Sequence, residues 1–389
     1  MEDVGSLRFE RMNASLHKQE LKERVAKIRD KNLPLIPGLW KRAEAEFRKN
    51  RTSLYFAKDA KEACRMVARI AKGKGTIVKS KTNVGLEIKL KDYLRDRGVR
   101  VVETDCGDYI VDVLKQDAVH PINPALAVAP EKLAGRFGTA DPKKIKEAVR
   151  KKIGSEFEKA KVGITGANFV SADGSVVLIE NEGNIAKVLT RPVLIIVTSI
   201  EKIVKDRSEA MLCAEAQSIF ATDRMAKLIH FISGPSGTGD LGEYQGGMHG
   251  AEEVHIVVVD NGRSELMKDE SRRDILKCIN CGLCVLSCPV FPHVGLEQSG
   301  MRGVAIESGA ARYAGLEEAW KCTGCGLCEK VCPIGIDLHK IALAIRRKLA
   351  GTGRQTASNK KMIENVKKTG NSAGKIAEDR GARELVYCC

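Results

Sequence analysis

Apolar positions recur every three to four residues from Leu16 to about Lys72, which predicts helices. Leu33–Gly38 (LPLIPG) interrupts them, because two prolines and a glycine end the first helix. Thr76-Ile77-Val78 then reads as a short β-branched strand, Lys79–Asn83 as a loop, Val84–Arg97 as a helix closed by Gly98, and Val99–Glu103 as a second strand. That order predicts a βαβ unit and a parallel sheet with covering helices. After a helical stretch Lys143–Ala160, strands are expected at Lys161–Thr165, Ser175–Asn181, Pro192–Thr198 and Glu253–Asp260, with Ala172-Asp173-Gly174 as a hairpin turn. The fold class is α/β. Ser233–Gly250 (SGPSGTGDLGEYQGGMHG) is too long and polar for a mere connector, and such loops are functional or mobile.

The pattern changes near Ser264. Ser271–Leu276 and Val304–Trp320 read as helical, Ile336–Leu349 as an amphipathic helix, and a polar tail then runs to Tyr387-Cys388-Cys389. Four segments are expected: a helical arm and lead-in (1–72), an α/β domain (73–263), a helical cysteine-bearing domain (264–349) and a polar tail (350–389).

The cysteines add the chemistry. Eight of the thirteen form two copies of one string, Cys278-x2-Cys281-x2-Cys284-x3-Cys288-Pro289 and Cys322-x2-Cys325-x2-Cys328-x3-Cys332-Pro333. In two-cluster ferredoxin strings the first three cysteines hold one [4Fe-4S] cube and the fourth crosses to the other. Cluster 1 is therefore assigned to Cys278, Cys281, Cys284 and Cys332, and cluster 2 to Cys322, Cys325, Cys328 and Cys288. Structural zinc prefers separated Cys pairs, and disulfides belong to oxidising compartments. The thirty-three residues between Cys288 and Cys322 favour an all-helical ferredoxin module over a compact bacterial one. Cys64, Cys106 and Cys213 stand alone in apolar stretches and read as buried small hydrophobes.

A chain of 389 residues with 43% hydrophobic and 30% charged content is long enough for one large core and a smaller module. Its net charge of +15 invites a nucleic-acid reading, but Lys and Arg are interleaved with Glu and Asp and aromatics are only 4%, which argues against one. The longest apolar run, Pro192–Ile200, is far shorter than a membrane span, and the start is polar, so a cytoplasmic protein is expected. No Gly-x-Gly-x-x-Gly string opens a helix after a strand, so neither a nicotinamide nor a flavin site is expected in this chain.

Several strings together resemble a known family: Ser80-Lys81-Thr82 with Glu87-Ile88, Glu103-Thr104-Asp105 with Gly107 and Tyr109-Ile110, Gly163 to Phe169, Glu180-Asn181-Glu182-Gly183-Asn184, and Asp260-Asn261-Gly262-Arg263-Ser264. They resemble the LUD domain of the L-lactate utilisation iron-sulfur protein family, from about Leu21 to Arg347. The resemblance implies a LUD domain similar to the ribose-phosphate isomerase and CoA-transferase superfamily, followed by a helical ferredoxin domain with two [4Fe-4S] clusters. It further implies an electron-transfer subunit of a cytoplasmic complex oxidising L-lactate to pyruvate. Its partners would be a CCG-domain subunit and a second LUD or flavin-containing subunit. The chain departs from the family at Gly85-Leu86 and the basic Lys89. Its tail resembles the linker that leads into a CCG domain in heterodisulfide-reductase-like proteins. This keeps open a complex of that kind with a separate CCG subunit, beside a third class, a metabolite or redox sensor.

Glycine-rich turns make anion-binding nests, and Lys81 adds a positive charge while Ser80, Thr82, Ser236 and Thr238 add hydroxyls. Asn168, Glu180 and Glu182 are expected as polar walls of the same small-anion site, with Asp240 and His249 from the glycine loop. A small carboxylate or phosphate would suit it, although the same glycines also serve tight turns. His255, in an apolar strand, and His339, on the last helix, read as structural.

Overall fold

A computed structural model describes residues 18–116, 124–125, 128–291, 300–310 and 316–374. Its strands are β1 Ser53–Ala57, β2 Ile77–Lys79, β3 Val101–Glu103, β4 Val162–Thr165, β5 Phe169–Ser171, β6 Ser175–Glu180, β7 Val193–Ser199, β8 Ile203–Val204, β9 Leu228–Ile232, β10 Gly237–Thr238, β11 Gln245–Gly246 and β12 Glu253–Val259. Six of them form an all-parallel sheet in the order β1-β12-β7-β4-β2-β3. β7 lies at its centre, buried along its whole length, as the uninterrupted apolar run requires of a strand covered on both faces.

Alternation along the central strands divides two cores. Leu194, Ile196, Ile256 and Val258 face a layer that includes the helices Ile36–Lys49 and Pro142–Phe157. Ile195, Val197, Val257 and Val259 face the helix Ala60–Ala71 on the other side. The chain runs outward from β2 to the edge strand β3, then returns to β4 and continues through β7 to β12. The direction reverses between β2 and β4, and open parallel sheets bind ligands beyond the carboxyl ends of the strands at such a reversal.

A second sheet, β8-β5-β6-β9, carries the expected hairpin, with Gly174 at φ +81 in its turn. One face of it shares a continuous core with the cysteine module. Val25 of the helix Gln19–Asn32, Phe169, Val177, Cys213 and Phe220 cluster with Ile275, Ile279, Leu283, Leu316 and Ile341. Arg29 pins this junction: buried, it donates to the carbonyls of Glu201 (2.6 Å) and Ile203 (3.4 Å) on the body side, and of Leu276 (2.8 Å) and Lys277 (3.0 Å) on the module side. The module is helical among the described residues, with short elements at Arg273–Lys277, Leu283–Leu286, Gly300–Glu307, Leu316–Lys321 and Leu327–Lys330 before the longer helix Leu338–Gly351. No helix among the described residues is long and apolar enough to cross a membrane.

Several expectations need correction. The run expected to be helical through Lys72 contains β1, which pairs with β12, so the sheet begins before the boundary placed at residue 73. Aromatic Tyr55 and Phe56 favour a strand there, a signal obscured by the helical pattern on both sides. The single helix expected over Val84–Arg97 is two, Asn83–Glu87 and Leu90–Arg95, parted where Lys89 adopts φ +53. The Ser233–Gly250 loop contains the β10–β11 ribbon. The polar tail holds a helix, Ala357–Thr369, with no buried residue, and Cys388 and Cys389 lie outside the described residues. Cys64 and Cys213 are buried as expected, but Cys106 is half-buried at the start of the helix Cys106–Val113.

Candidate functional site

The eight repeated cysteines are free thiols that collect into two sets. Burial pushes the Cys281 thiol up, and Cys332 and Cys278 push it further. Cys284 is raised by burial and then by Cys278, Cys281 and Cys332. Burial carries Cys328 up to about 12, with Cys322, Cys325 and Cys288 adding to it. The fourth cysteine of each string therefore stands with the first three of the other. Cys284 also feels Cys328, so the two sets are neighbours.

Local backbone explains the wrapping. Gly282 and Gly326 begin their short helices at φ +81 and +75, and Asn280 and Gly324 also take positive φ, +58 and +75, at matching places in the two strings. The tight turns aim amides at sulfur: Asn280 N–H donates to Cys278 Sγ (3.3 Å) and Ile336 N–H to Cys332 Sγ (3.4 Å). Four clustered cysteines whose thiolates would repel one another, with amide donors beside them, suit an iron-sulfur cube, whose positive metal would offset that repulsion and whose potential these hydrogen bonds would tune.

Beside the first string lies a cavity of about 830 Å³ at the carboxyl ends of β2, β3 and β7. It spans the β2/β4 reversal, where Thr82 faces Gly166: a Cβ on Gly166 would sit 3.0 Å from Thr82 Cβ and Oγ1. Its walls are charged. At the ends of β2 and β3, Lys79 and Glu103 form a buried ion pair (2.8 Å), and Lys91 bridges Glu103 (3.6 Å) to Asp112 (2.9 Å). Burial alone would lower Lys79, but Glu103 and Asp108 outweigh it and hold the ammonium above its ordinary range. Asp105 caps the helix Cys106–Val113 by accepting from the amides of Gly107 (3.0 Å) and Asp108 (3.1 Å).

Asp108, one turn in, has its Oδ2 shut from solvent with no hydrogen-bond partner among the described residues. Burial raises it to about 6, helped by Asp105 and Glu103 and opposed by Lys81 and Lys79. Burial and Asp105 also raise Glu182. Cys106 is pushed up to about 11 by burial, Glu182 and Asp105, so its thiolate is disfavoured and it is no ready nucleophile.

At the other end of the wall, Arg263 is buried with a fork on Glu87 (2.9 and 2.7 Å) and its Nε 2.7 Å from Glu201. Burial would raise Glu201, but Arg263 and Lys202 hold it below the usual range. Asn261 donates to the same Glu87 (2.6 Å). The Glu87 and Asp260–Ser264 strings noted in the sequence thus meet as a buried lock between the end of β12 and the helix Asn83–Glu87. Lys202, Asn280 and Arg302 complete this part of the wall, and Asn280 lies between Cys278 and Cys281.

The ten residues expected to form an anion site do not converge. Lys81, Thr82, Asn168 and Glu182 line the cavity. Ser80 is buried, with its hydroxyl donated to Thr165 Oγ1 (2.7 Å). Glu180 accepts from Ala186 N–H and pairs with His230 in the second sheet. Ser236, Thr238, Asp240 and His249 belong to the ribbon that enters the amino end of β12, where Ser236 N–H donates to the Ala251 carbonyl (2.8 Å) and His249 N–H to Ser236 Oγ (3.3 Å). The seven residues of β12 span roughly 20 Å at the usual strand rise, so this loop and the cavity occupy opposite edges of the sheet. Sequence reasoning missed Lys202 and Arg302, which stand in no motif, and Asp108 and Asn280, which occupy unassigned positions inside recognised strings.

The model of the LUD domain matches residues 40–259, and that of the 4Fe-4S dicluster domain matches residues 274–336. The chain belongs to the LUD domain family. The LUD match covers the parallel sheet from the helix before β1 through β12, and the dicluster match covers both cysteine strings. The chain is 33% identical over 306 residues to the uncharacterized electron transport protein YkgF of Escherichia coli, covering 75% of this chain and 62% of that one. It is 33% identical to lactate utilization protein B of Bacillus cytotoxicus, over 72% of this chain and 60% of the relative. The corresponding protein of Bacillus thuringiensis is 36% identical, over 64% and 53%. The chain thus spans little more than half to three fifths of the length of these relatives. A solved DUF162 family protein from Deinococcus radiodurans overlays 58% of this chain and 98% of its own at a TM-score of 0.34 and 11% identity, too distant to inform the site.

Proposed function

We propose that this LUD protein is the iron-sulfur electron-transfer subunit of a cytoplasmic complex oxidising L-lactate to pyruvate, and that its cavity receives the small carboxylate. The observation that carries the reading is the presence of Asn280, held between two cysteines of the first string, in the wall of a charged cavity at the sheet's reversal point. The names of the relatives supply the substrate. Cluster 1 is assigned to Cys278, Cys281, Cys284 and Cys332, and cluster 2 to Cys322, Cys325, Cys328 and Cys288, in keeping with the two thiol sets. When bound, the clusters supply one-electron relay centres.

The chain's own residues do the rest. Lys81 and Lys202 set the charge that draws an anion in, Lys79 being paired with Glu103, and Asp108, raised to about 6, is placed to take up a proton just below neutral pH. Asn168 keeps its shape, since its amide donates to Gln217 (2.9 Å) and accepts from Ile179 N–H (2.9 Å). The volume of about 830 Å³ exceeds what a three-carbon acid fills and leaves room for a group from a partner subunit. Lactate oxidation releases two electrons and two protons, so a CCG subunit, with a second LUD subunit or a flavin-containing one, is the expected partner that couples paired to single electrons. The test is to purify the complex anaerobically and follow cluster absorbance. L-lactate should bleach it, and no bleaching by the complete complex would overturn the reading.

A further inference from the structure

We propose that Lys202 and Arg302 form the anion seat of the cavity, holding the carboxylate of a small 2-hydroxy or 2-oxo acid against the first cysteine string. This rests on reading the cavity as the metabolite site and names the residues and ligand class that would make it so.

Lys202 follows β7, and only 4% of it is exposed. A buried ammonium ordinarily has a carboxylate at bonding distance, since desolvating an unpaired charge is costly. Lys202 has none among the described residues. The neighbouring Glu201 carboxylate is taken by Arg263, and the closest aromatic partner of the Lys202 Nζ is the Phe169 ring, 5.8 Å from its centroid. Arg302, on the helix Gly300–Glu307 of the cysteine module, lines the same cavity, and its buried Nε has no hydrogen-bond partner among the described residues. These two cations reach the wall from different parts of the fold, one from the sheet and one from the module.

The local charge count points the same way. Arg29, Lys202, Arg263 and Arg302 place four positive charges around this end, against three carboxylates, Glu87 and Glu201, both engaged by Arg263, and Glu307 on the Arg302 helix, with the Cys278 sulfur also facing Lys202. Arg29 spends its donors on backbone carbonyls and meets no counter-charge there. The surplus suits an anion. A monocarboxylate fits better than a phosphate, because in the remainder of the wall Glu103, Asp105, Asp108 and Glu182 stand among Lys79, Lys81 and Lys91, which leaves no surplus of positive charge there for a dianion. A carboxylate can accept from the Arg302 guanidinium and the Lys202 ammonium together, while a neutral hydroxyl or oxo end suits the wall of mixed charge beyond them.

The test uses the anaerobic, cluster-loaded chain, with iron content and the electron paramagnetic resonance of the reduced clusters measured alongside calorimetric binding of pyruvate, L-lactate and inorganic phosphate. Wild-type protein should bind pyruvate or L-lactate in preference to phosphate. Lys202→Met and Arg302→Met should each weaken that binding about tenfold or more, the loss expected for a charged hydrogen bond, with iron unchanged. Should either variant lose iron, Lys202→Arg and Arg302→Lys carry the test: they should keep iron and measurable carboxylate binding. Carboxylate binding unaltered in the Met variants, with only a shifted cluster potential, would show that the cations serve the cluster alone and overturn the seat. Preference for phosphate would overturn the ligand class. Both failures leave lactate-dependent bleaching by the whole complex intact, whereas loss of bleaching with carboxylate binding preserved would sink the functional reading and spare the seat.

Discussion

The two cysteine strings have identical spacing and opposite surroundings. In the first, Ile279, Asn280, Cys281 and Leu283 are buried against the second sheet and the arm helix. In the second, the corresponding Thr323 and Cys325 are exposed, and the helix Leu327–Lys330 buries nothing. Ligand spacing fixes which thiols can share a metal centre, while the residues between the ligands fix what that centre faces. Here the apolar insert turns one set toward the cavity, and the polar insert turns the other toward solvent. Electrons leaving the cavity would pass the buried set first and exit at the surface set.

The sharpest break of this comparison is at the ligands. Cys281→Ser should remove the first cluster and destabilise the shared core, whereas Cys325→Ser should remove only the surface cluster. Iron analysis with thermal unfolding would separate the two, and an equal effect at both sites would deny the asymmetry. Next comes the pin that holds the buried set to the body. Arg29→Met leaves the carbonyls of Glu201, Leu276 and Lys277 without their donor, at a cost of about 3 kcal/mol. Denaturant unfolding should register it, and chelation of iron from the first set should speed up.

Asp108 offers a smaller, pH-dependent effect in the cavity that only the buried string borders. Its folded value of about 6 lies above the ordinary 3.8, so its favourable contribution is complete below about pH 4 and is lost as pH rises through 6. Asp108→Asn should therefore match wild type near pH 4 and become more stable by about 1–2 kcal/mol at pH 8, less than the full shift because the residue is only partly buried. Thermal melts across that range would check it. The smallest effect is in the paired turns. Gly324→Ala puts a Cβ at positive φ, 3.1 Å from His339 Nε2, and should cost about 1 kcal/mol. Asn280→Gly, at the matching turn, should change stability by less.

Much of the sheet was legible. The apolar run of β7, the Gly174 hairpin and the β2-to-β3 crossover are local patterns with local causes. The short β8, the half-exposed β9 and the strand β1 between two helices lacked such patterns, since their strand character comes from pairing. The cysteine spacing carried the two thiol sets for the same reason that glycine turns carry their φ: ligand loops are short. The cavity was only partly readable. Lys81, Thr82 and Glu182 stood in recognisable strings, but Lys202, Asn280 and Arg302 share a wall only because the module packs on the sheet. The glycine loop with His249 drew notice by composition, although it opens on the far edge.

Arg29 bears on rate as well as stability. Electron tunnelling falls off steeply with distance, so a donor and acceptor on separately moving parts would exchange charge erratically. By clasping the chain before Cys278 and the chain after β7 with one side chain, the fold sets that gap once, during folding. On the proposed function, the route inward would then have a fixed length, and variation in turnover would arise at the solvent-facing exit, where a partner would dock.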